Sequence, residues 1–308
     1  MARTHDDLRE IPKIERWEDI TGRPNYSLEI DGSKDSLQGV LAPYQLAPLK
    51  PCGLKNCRTP NGKGYLIRAT DGRETNIGAN CGKKHFPEHR AEFLRIDRIV
   101  REREIRARAA AAKLDAARIR SLVDHLRKQD QGADWVRRCV DGLKKLMIKV
   151  DPPAWTDLQR RAATGRIVVN ESRRIARPKG GPEIRIDAKG QTRAVMQDQF
   201  EDVRIGSFTG LGVFTPGRDL RVLLIERVDH VAKGLQDCDP DRDGYKPLNK
   251  LLQGYGEIDT TLQQAEWAIS AGREFFTPAN LALVHILVGP NVNGRSLKGL
   301  TVDELLGV

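Results

Sequence analysis

Three cysteines and one histidine in the first third of the chain have types and spacings that suit a metal ion. Four residues separate Cys52 from Cys57, and after 23 further residues come Cys81 and, four positions on, His85. Thiolate sulfur and imidazole nitrogen are ligands that zinc prefers in proteins. On a helix, Cys81 and His85 would project from one face, because residues four apart are neighbours there. The spacing predicts one zinc ion held by these four residues.

The segment between the two ligand pairs predicts a β-hairpin. Residues 65–70 and 73–77 flank the dipeptide Asp71-Gly72. This dipeptide is a strong signal for a two-residue hairpin turn, since both central residues of such a turn have positive φ angles. Counting outward from the turn gives two cross-strand pairs, Leu66 with Ile77 and Arg68 with Thr75. A helix carrying the second ligand pair is expected to follow.

The order of knuckle, hairpin and helix resembles the treble-clef group of zinc fingers. The resemblance covers residues 52–89 and does not extend to the rest of the chain. It implies that Cys52 and Cys57 supply the knuckle ligands, and that Cys81 and His85 supply the helical pair. A treble-clef knuckle usually has two residues between its ligands, whereas this one has four. Four protein ligands leave no position for water, so the implied zinc is structural rather than catalytic.

Other interpretations of these residues stay open. His89 follows His85 by one helical turn and is a rival fourth ligand. Alternatively, the cysteines are buried thiols and His85 is a surface residue. The treble-clef group also includes nucleases of the H-N-H type, but resemblance to them would require a histidine near the end of the first hairpin strand. Residues 65–70 contain none, which disfavours the nuclease.

The composition excludes several classes of protein. The chain has 308 residues, 39% of them hydrophobic, which is enough for two or three compact units. No apolar run approaches the roughly 20 residues of a membrane span, and residues 1–9 are polar where a signal peptide is apolar. Five cysteines are too few and too unevenly placed for a disulfide framework. We therefore expect a cytoplasmic protein with reduced thiols.

The net charge of +10 predicts attraction to polyanions. Residues 88–129 contain neither proline nor glycine and predict one basic helix of about 60 Å. Arginine can bind phosphate through two parallel hydrogen bonds, so this helix and a later basic loop could contact DNA, RNA or an acidic protein surface. The candidates are Arg95, Arg98, Arg101 and Arg106 in the helix, and Arg173, Arg174, Arg177 and Lys179 in the loop. The alternative for the helix is a solvated face balanced by nearby acids.

Seven small or apolar residues of the same helix recur at spacings of four and three. They are Ile105, Ala109, Ala112, Ala116, Ile119, Val123 and Leu126. This pattern is typical of the seam of a coiled coil. Its partner is either a second copy of the chain, giving a homodimer through residues 105–126, or the next predicted helix, at residues 133–150.

The rest of the chain predicts a mixed and then mostly helical domain. Strands are expected at residues 183–187 and 200–205, and helices at 219–231, 247–252, 258–271 and 278–288. The whole is predicted to be an α+β protein with four segments. These are a zinc-binding module at 1–88, the long basic helix at 89–129, a helical segment with a basic linker at 130–180, and a C-terminal domain at 181–308.

These features favour a non-enzymatic zinc-finger protein that binds nucleic acid through the basic helix and loop. One alternative is an interaction scaffold that self-associates or docks on a partner through the alanine-rich seam. Another is an enzyme with its site in residues 181–308. That region contains no paired-carboxylate, Ser-His or phosphate-loop arrangement of useful specificity, so the enzyme has little positive support.

Overall fold

The structure of the chain is a computed structural model, which describes residues 13–175, 183–186, 192–195, 200–288 and 297–307. It divides into two compact units. Unit 1 runs up to Lys113 and includes Cys238–Leu252, and unit 2 comprises Leu114–Asp237 and the chain from Gln253 onward. Helices account for 58% of the structure and strands for 18%, in small antiparallel sheets. This confirms the predicted α+β class.

Unit 1 is built on one three-stranded antiparallel sheet, in which the strand order is β1-β2-β3. Its elements before the long helix are α1 (Glu18–Thr21), β1 (Leu37–Pro51), β2 (Pro60–Ala69), β3 (Glu74–Gly78), α2 (Ala79–His85) and a 3-10 turn (Pro87–His89). The predicted order of extended approach, hairpin and short helix is therefore present.

The register of the β2–β3 hairpin differs by one residue from the prediction. Tyr65 pairs with Ile77 and Arg68 with Glu74. The reason lies at Gly72, which alone has a positive φ, of 88°, among the turn residues. A three-residue loop that ends in such a residue replaces the two-residue turn that an Asp-Gly pair predicts. The bond from the Ala69 amide to the Arg73 carbonyl, 2.8 Å, closes it.

Both faces of this sheet are covered. On one face Tyr65 and Ile67 join a cluster that contains Cys52 and Phe93, and on the other Leu66 joins a separate cluster of six buried residues. Successive side chains of a strand point to opposite faces, so β2 contributes to both clusters. Packing on both faces fixes the strands between which Cys52 and Cys57 lie and after which Cys81 follows.

The sheet also contains a buried ion pair. Glu74 is only 2% exposed, and its carboxylate accepts hydrogen bonds from Arg68, at 2.7 and 3.0 Å, and from Arg23. Burial alone would raise the pKa of Glu74, but the two guanidinium groups hold that pKa below its ordinary value. The strand edge is thus fixed by charge as well as by apolar packing.

The long basic helix is present as α3 (Arg90–Lys128), and the boundary between the units falls after Lys113. Its seven seam residues are all buried, with exposures between 0% and 8%. The single chain therefore covers the seam itself. A homodimer through residues 105–126 would require this packing to open, and it stays a prediction. The periodicity identified the buried face but not what buries it.

Unit 2 and the segments around it are mostly helical. The elements are α4 (Ala133–Val150), α5 (Pro152–Thr164), β4 (Val168–Arg174), β5 (Glu183–Ile186), β6 (Thr192–Val195), β7 (Phe200–Ser207), a 3-10 helix (Leu211–Phe214), a π-helix (Val222–Asp229), α6 (His230–Asp237), α7 (Tyr245–Phe275), α8 (Pro278–Val288) and α9 (Val302–Leu306). Strand β4 pairs with β7, and β5 with β6, both antiparallel. The predicted helix at residues 133–150 is confirmed.

Helix α7 corrects a prediction of two helices, at residues 247–252 and 258–271. The chain stays helical through Gly254 and Gly256, although each glycine costs about 1 kcal/mol relative to alanine in a helix. A Cβ at Gly254 would lie 2.7 Å from a methyl group of Val231 in α6. The close approach of α6 requires this glycine, and sequence reasoning mistook it for a break.

Candidate metal centre

The structure brings three of the predicted ligands together. The sulfur atoms of Cys52, Cys57 and Cys81 all lie within 4.8 Å of one another, and those of Cys57 and Cys81 are 3.4 Å apart. Four tetrahedral ligands at the usual zinc–sulfur distance of 2.3 Å would be about 3.8 Å apart. The three thiols therefore have a spacing that could hold a metal ion. None of the chain's five cysteines forms a disulfide.

The backbone around the first two cysteines is tightly organised. The Cys52 amide donates to the Thr59 carbonyl at 2.9 Å, and the Cys57 amide donates to the Leu54 carbonyl at 3.1 Å. Three amides point at sulfur: those of Leu54 and Gly78 bond to Cys52, and that of Thr59 bonds to Cys57. Donors aimed at sulfur favour the thiolate over the thiol. The turn and the end of β3 therefore position the ligands and stabilise their metal-binding form.

Gly53 is the residue that allows this turn to sit against the hairpin. Its amide donates to the Asn76 carbonyl at 2.7 Å, and a Cβ at this position would lie 1.9 Å from Thr75 Oγ1. Asn76 in turn donates through Nδ2 to the Pro51 carbonyl at 2.8 Å. Strand β3 therefore supports the first two cysteines directly, a role that the ligand spacing alone did not reveal.

The three thiols differ in their acidity. Burial raises the pKa of Cys52, and it raises the pKa of Cys81 to about 12. Burial has the same tendency at Cys57, but hydrogen bonds from Thr59 and the neighbouring thiols lower its pKa to about 7. One thiolate therefore forms readily near neutral pH, whereas three together need a cation to balance their charge. A divalent metal ion supplies that charge.

His85 is placed near this cluster in sequence but does not belong to it. The group of metal-ligating atoms within 4.8 Å of one another, among the described residues, consists of the three cysteine sulfurs. His85 lies at the end of α2, half-buried, and its ring packs on Gly32, where a Cβ would lie 3.0 Å from Nδ1. Its role as the fourth ligand stays a prediction. The rival, His89, lies 3.2 Å from the carboxylate of Glu92.

The predicted nucleic-acid residues of α3 fall into two groups. Arg95, Arg98 and Arg101 are exposed, and within the described part of the chain Arg95 and Arg98 form no ion pair. Arg101 donates through Nε to the Asp97 carbonyl, one turn earlier in its own helix, at 3.1 Å. Arg106 instead donates to the Pro240 carbonyl. Three of the four arginines thus remain accessible to a ligand.

The predicted basic loop is partly a strand. Arg173 and Arg174 are exposed near the end of β4, and Arg173 donates to the Glu171 carboxylate at 2.8 Å. Arg177 and Lys179 lie outside the described residues. The loop interpretation therefore applies at most to the second half of this basic segment.

A groove that sequence reasoning missed lies between the sheet of unit 1 and α3. It has a volume of about 490 Å³, and its walls include Lys63, Lys83 and Arg101 together with Asp97. The Asp97 carboxylate is already engaged by Lys83, at 2.7 Å, and by the hydroxyl of Tyr65. Its negative charge is therefore largely offset, and Lys63 and Arg101 give the groove a cationic character. Lys63 and Arg101 are 38 residues apart in the sequence, so no local sequence pattern predicts that they line one groove.

Comparisons of the chain with protein-family models, with curated proteins and with solved structures found no match. In the parts of the chain that the structure describes, no helix combines the length and the apolar character of a membrane span. The candidate functions therefore rest on the cysteine cluster and on the distribution of charge.

Proposed function

We propose that this chain is a non-enzymatic protein that binds one zinc ion in a treble-clef-like module and contacts nucleic acid through the arginines that follow it. The nucleic-acid contact is supported by the exposure of Arg95, Arg98 and Arg101, which follow the cysteine module immediately in the sequence. With the net charge of +10, these side chains favour a polyanionic partner.

The donor set favours zinc over other metal ions. Three thiolates suit soft or borderline ions, whereas calcium and magnesium require oxygen ligands. With His85 as the fourth ligand, the site would be a closed Cys3His tetrahedron, which is typical of structural zinc. Movement of the half-buried His85 ring toward the three sulfurs would complete it. The thiols would remain reduced in a cytoplasmic location.

The metal assignment is tested by measuring zinc in protein purified without added chelator. We expect about one zinc per chain, and loss of that zinc from the Cys57→Ser variant. His85→Ala should change the visible spectrum of the cobalt-substituted protein and weaken zinc binding, while His89→Ala is the matched control that should do neither. Zinc-free native protein would overturn the assignment. An unchanged spectrum in His85→Ala would remove His85 from the ligand set.

The nucleic-acid contact is proposed on a short stretch of α3. Arg95 and Arg101 are six residues apart, or about 9 Å along the helix axis. Guanidinium groups bind phosphate oxygens in pairs of parallel hydrogen bonds, and neither Arg95 nor Arg98 would have to leave an ion pair among the described residues. Lys63, in the groove that Arg101 also lines, extends the cationic surface. The segment with Arg173, Arg174, Arg177 and Lys179 is proposed as a second contact.

Binding of labelled 20-nucleotide DNA and RNA, single- and double-stranded, tests this contact across a range of salt concentrations. The triple variant Arg95→Gln, Arg98→Gln, Arg101→Gln should bind more weakly and reduce the slope of log affinity against log salt by about 2 to 3. The matched control removes the same charge from exposed positions of unit 2, through Arg138→Gln, Lys149→Gln and Arg166→Gln. Its slope should stay close to that of the wild type.

Two outcomes would overturn the proposal. Absence of binding to every probe at low salt would exclude nucleic acid as the partner. Equal losses in the two triple variants would show that net charge, rather than the surface of α3, attracts the probes. Thermal unfolding of each variant checks that a loss of binding is not a loss of fold.

A further inference from the structure

Unit 2 contains a cavity of about 270 Å³ whose walls carry three arginines and a single carboxylate. The arginines are Arg127, near the end of α3, Arg137, on α4, and Arg221, at the start of the π-helix. The carboxylate is Asp134, in the first turn of α4. Cations from three separate elements converge on one space, which favours an anionic occupant.

Two of the three arginines have ion pairs that a ligand could replace. Arg127 meets Asp134 at 3.2 and 3.3 Å, which is long for a pair of charged groups. Arg221 lies 3.7 Å from Glu226, with both side chains more than half exposed. Arg137 meets Asp141 at 3.2 Å, again in solvent. The exposed pairs of Arg137 and Arg221 contribute little to stability, so an anion would compete with them at low cost, whereas the part-buried pair of Arg127 with Asp134 would hold its arginine at the cavity wall.

The π-helix forms one wall of the same cavity, through Leu224 and Ile225 next to Arg221. Helices with i→i+5 hydrogen bonds are rare and occur frequently at functional sites. Asp219 accepts hydrogen bonds from the amides of Arg221 and Val222 at 2.8 and 3.3 Å, which fixes the start of this helix. The irregular backbone is therefore an observation independent of the arginines, and it indicates the same place.

A second cavity, of about 210 Å³, adjoins the first and shares Arg137 and Leu220 with it. Its walls include Trp155 and Phe214, whose rings meet edge to face with centroids 5.6 Å apart. The same walls carry charged side chains, which are Arg137, Asp141, Lys144, Arg218 and Asp219. An aromatic and polar space beside an arginine-lined space suits a ligand with a flat, polar ring at one end and a charged group at the other.

We propose that unit 2 binds a small organic phosphate of the nucleotide class, with its phosphoryl groups among Arg127, Arg137 and Arg221 and its ring in the adjoining cavity. The planar, forked guanidinium matches phosphate oxygens, and this match favours phosphate over a less highly charged anion. This proposal uses none of Arg95, Arg98 and Arg101 and does not depend on the nucleic-acid contact.

Isothermal titration of the full chain with ADP, inorganic pyrophosphate and adenosine tests the proposal. ADP should bind more tightly than either of the others, because only ADP fills both cavities. Arg221→Gln and Arg137→Gln should each weaken ADP binding at least tenfold. Arg138→Gln, a neighbouring exposed arginine on α4 that lines neither cavity, is the matched control and should stay within twofold.

Each remaining outcome has a definite meaning. Arg221 is exposed by 68%, so its replacement should leave the fold intact, and a thermal scan checks this. No ADP binding, or an equal loss in Arg138→Gln, would overturn the proposal. Equal affinity for ADP and pyrophosphate would overturn the ring site.

The triple variant of Arg95, Arg98 and Arg101 should bind ADP normally, so that failure of the nucleic-acid proposal stays distinguishable from failure of this one. Competition by a 5′-phosphorylated oligonucleotide would separate the end of a strand from a free nucleotide.

Discussion

Unit 1 and unit 2 are stabilised in different ways. Unit 2 has one cluster of 36 buried hydrophobic residues among those described, whereas the sheet of unit 1 is packed by clusters of twelve and six. Small apolar cores rarely stabilise a fold by themselves and commonly need a metal or a disulfide. Unit 1 accordingly combines three close cysteines with the buried carboxylate of Glu74.

A cysteine has different roles in the two units. Cys57 is partly exposed and its pKa is lowered to about 7, which suits a metal ligand. Cys139 in unit 2 is fully buried, and burial raises its pKa to about 12. A neutral thiol of that kind behaves as a small apolar side chain. The difference can be tested by making the same substitution in each unit.

The largest expected effect is therefore that of Cys57→Ser. Loss of the metal should destabilise unit 1 by about 5 kcal/mol or more, because structural zinc contributes its binding free energy to folding. Hydrogen exchange measured by mass spectrometry should show lost protection in β2 and β3, and unchanged protection in α4. Cys139→Ser is the matched control, with a loss of about 1 to 2 kcal/mol confined to unit 2. Full protection of the sheet in Cys57→Ser would mean that its apolar clusters suffice.

The reverse comparison uses Leu143, which is fully buried in unit 2. Leu143→Ala should destabilise unit 2 by about 3 kcal/mol, because the removed atoms leave a cavity in a packed core. Ile148→Ala on the same helix, at a side chain 44% exposed, should change stability by less than about 0.5 kcal/mol. Denaturant unfolding and zinc content are the two readouts. A loss of zinc in Leu143→Ala would contradict the separate stabilisation of the units.

What the sequence predicted well depends on local signals. The helices at 88–129 and 133–150 appear as Arg90–Lys128 and Ala133–Val150, since composition, absent breakers and periodicity act within a few turns. The three cysteines were also found from type and spacing. Each of these signals lies within a short stretch of chain.

What the sequence could not supply depends on contacts between distant residues. The hairpin register depends on the backbone conformation of Gly72. The continuity of α7 depends on the close packing of Gly254 against Val231. The spacing of the seam residues in α3 predicted a buried face but not the part of the chain that packs against it. The groove and the arginine-lined cavity each collect side chains from separate elements. No local pattern encodes such a convergence.

A smaller effect is expected from Glu74→Gln, which leaves Arg23 and Arg68 without their carboxylate. Loss of a buried pair is costly, but both arginines are more than a third exposed and water replaces part of the interaction. We expect a loss of about 2 kcal/mol from unit 1 at neutral pH.

The pH dependence of stability tests whether the lost charge of Glu74 causes the destabilisation in Glu74→Gln. The pKa of Glu74 is lowered by folding, so its contribution is complete above the ordinary glutamate pKa and is lost as the pH falls through the lowered value. Unfolding of the wild type and the variant should therefore be compared from pH 7 downward. Protons compete with the metal ion for the cysteine thiolates equally in the wild type and the variant. This effect therefore cancels in the difference between their free energies of unfolding. A difference that is the same at every pH would assign the effect to packing.

The smallest effect is expected at the edge of unit 2. Thr301 accepts a hydrogen bond from the Glu304 amide at 3.3 Å, and Glu304 accepts one from the Thr301 amide at 2.9 Å. This capping box starts α9, whose Leu305 backbone lies so close to Gly142 that a Cβ there would be 2.2 Å from its carbonyl oxygen. Thr301→Ala should cost about 1 kcal/mol, and Thr301→Ser, which retains the hydroxyl, should cost less.

Hydrogen exchange decides whether that loss is local. Because α9 is a short helix at the margin of a large core, its amides should exchange faster in Thr301→Ala while those of α4 keep the protection of the whole unit. The metal module should be unaffected, with the same zinc content and the same protection in β2 and β3. If the variant instead lowered protection throughout unit 2, α9 would be an integral part of the core. Unit 2 would then depend on a single capping residue, despite its core of 36 buried residues. The contrast with unit 1, which a few specific residues stabilise, would be weaker.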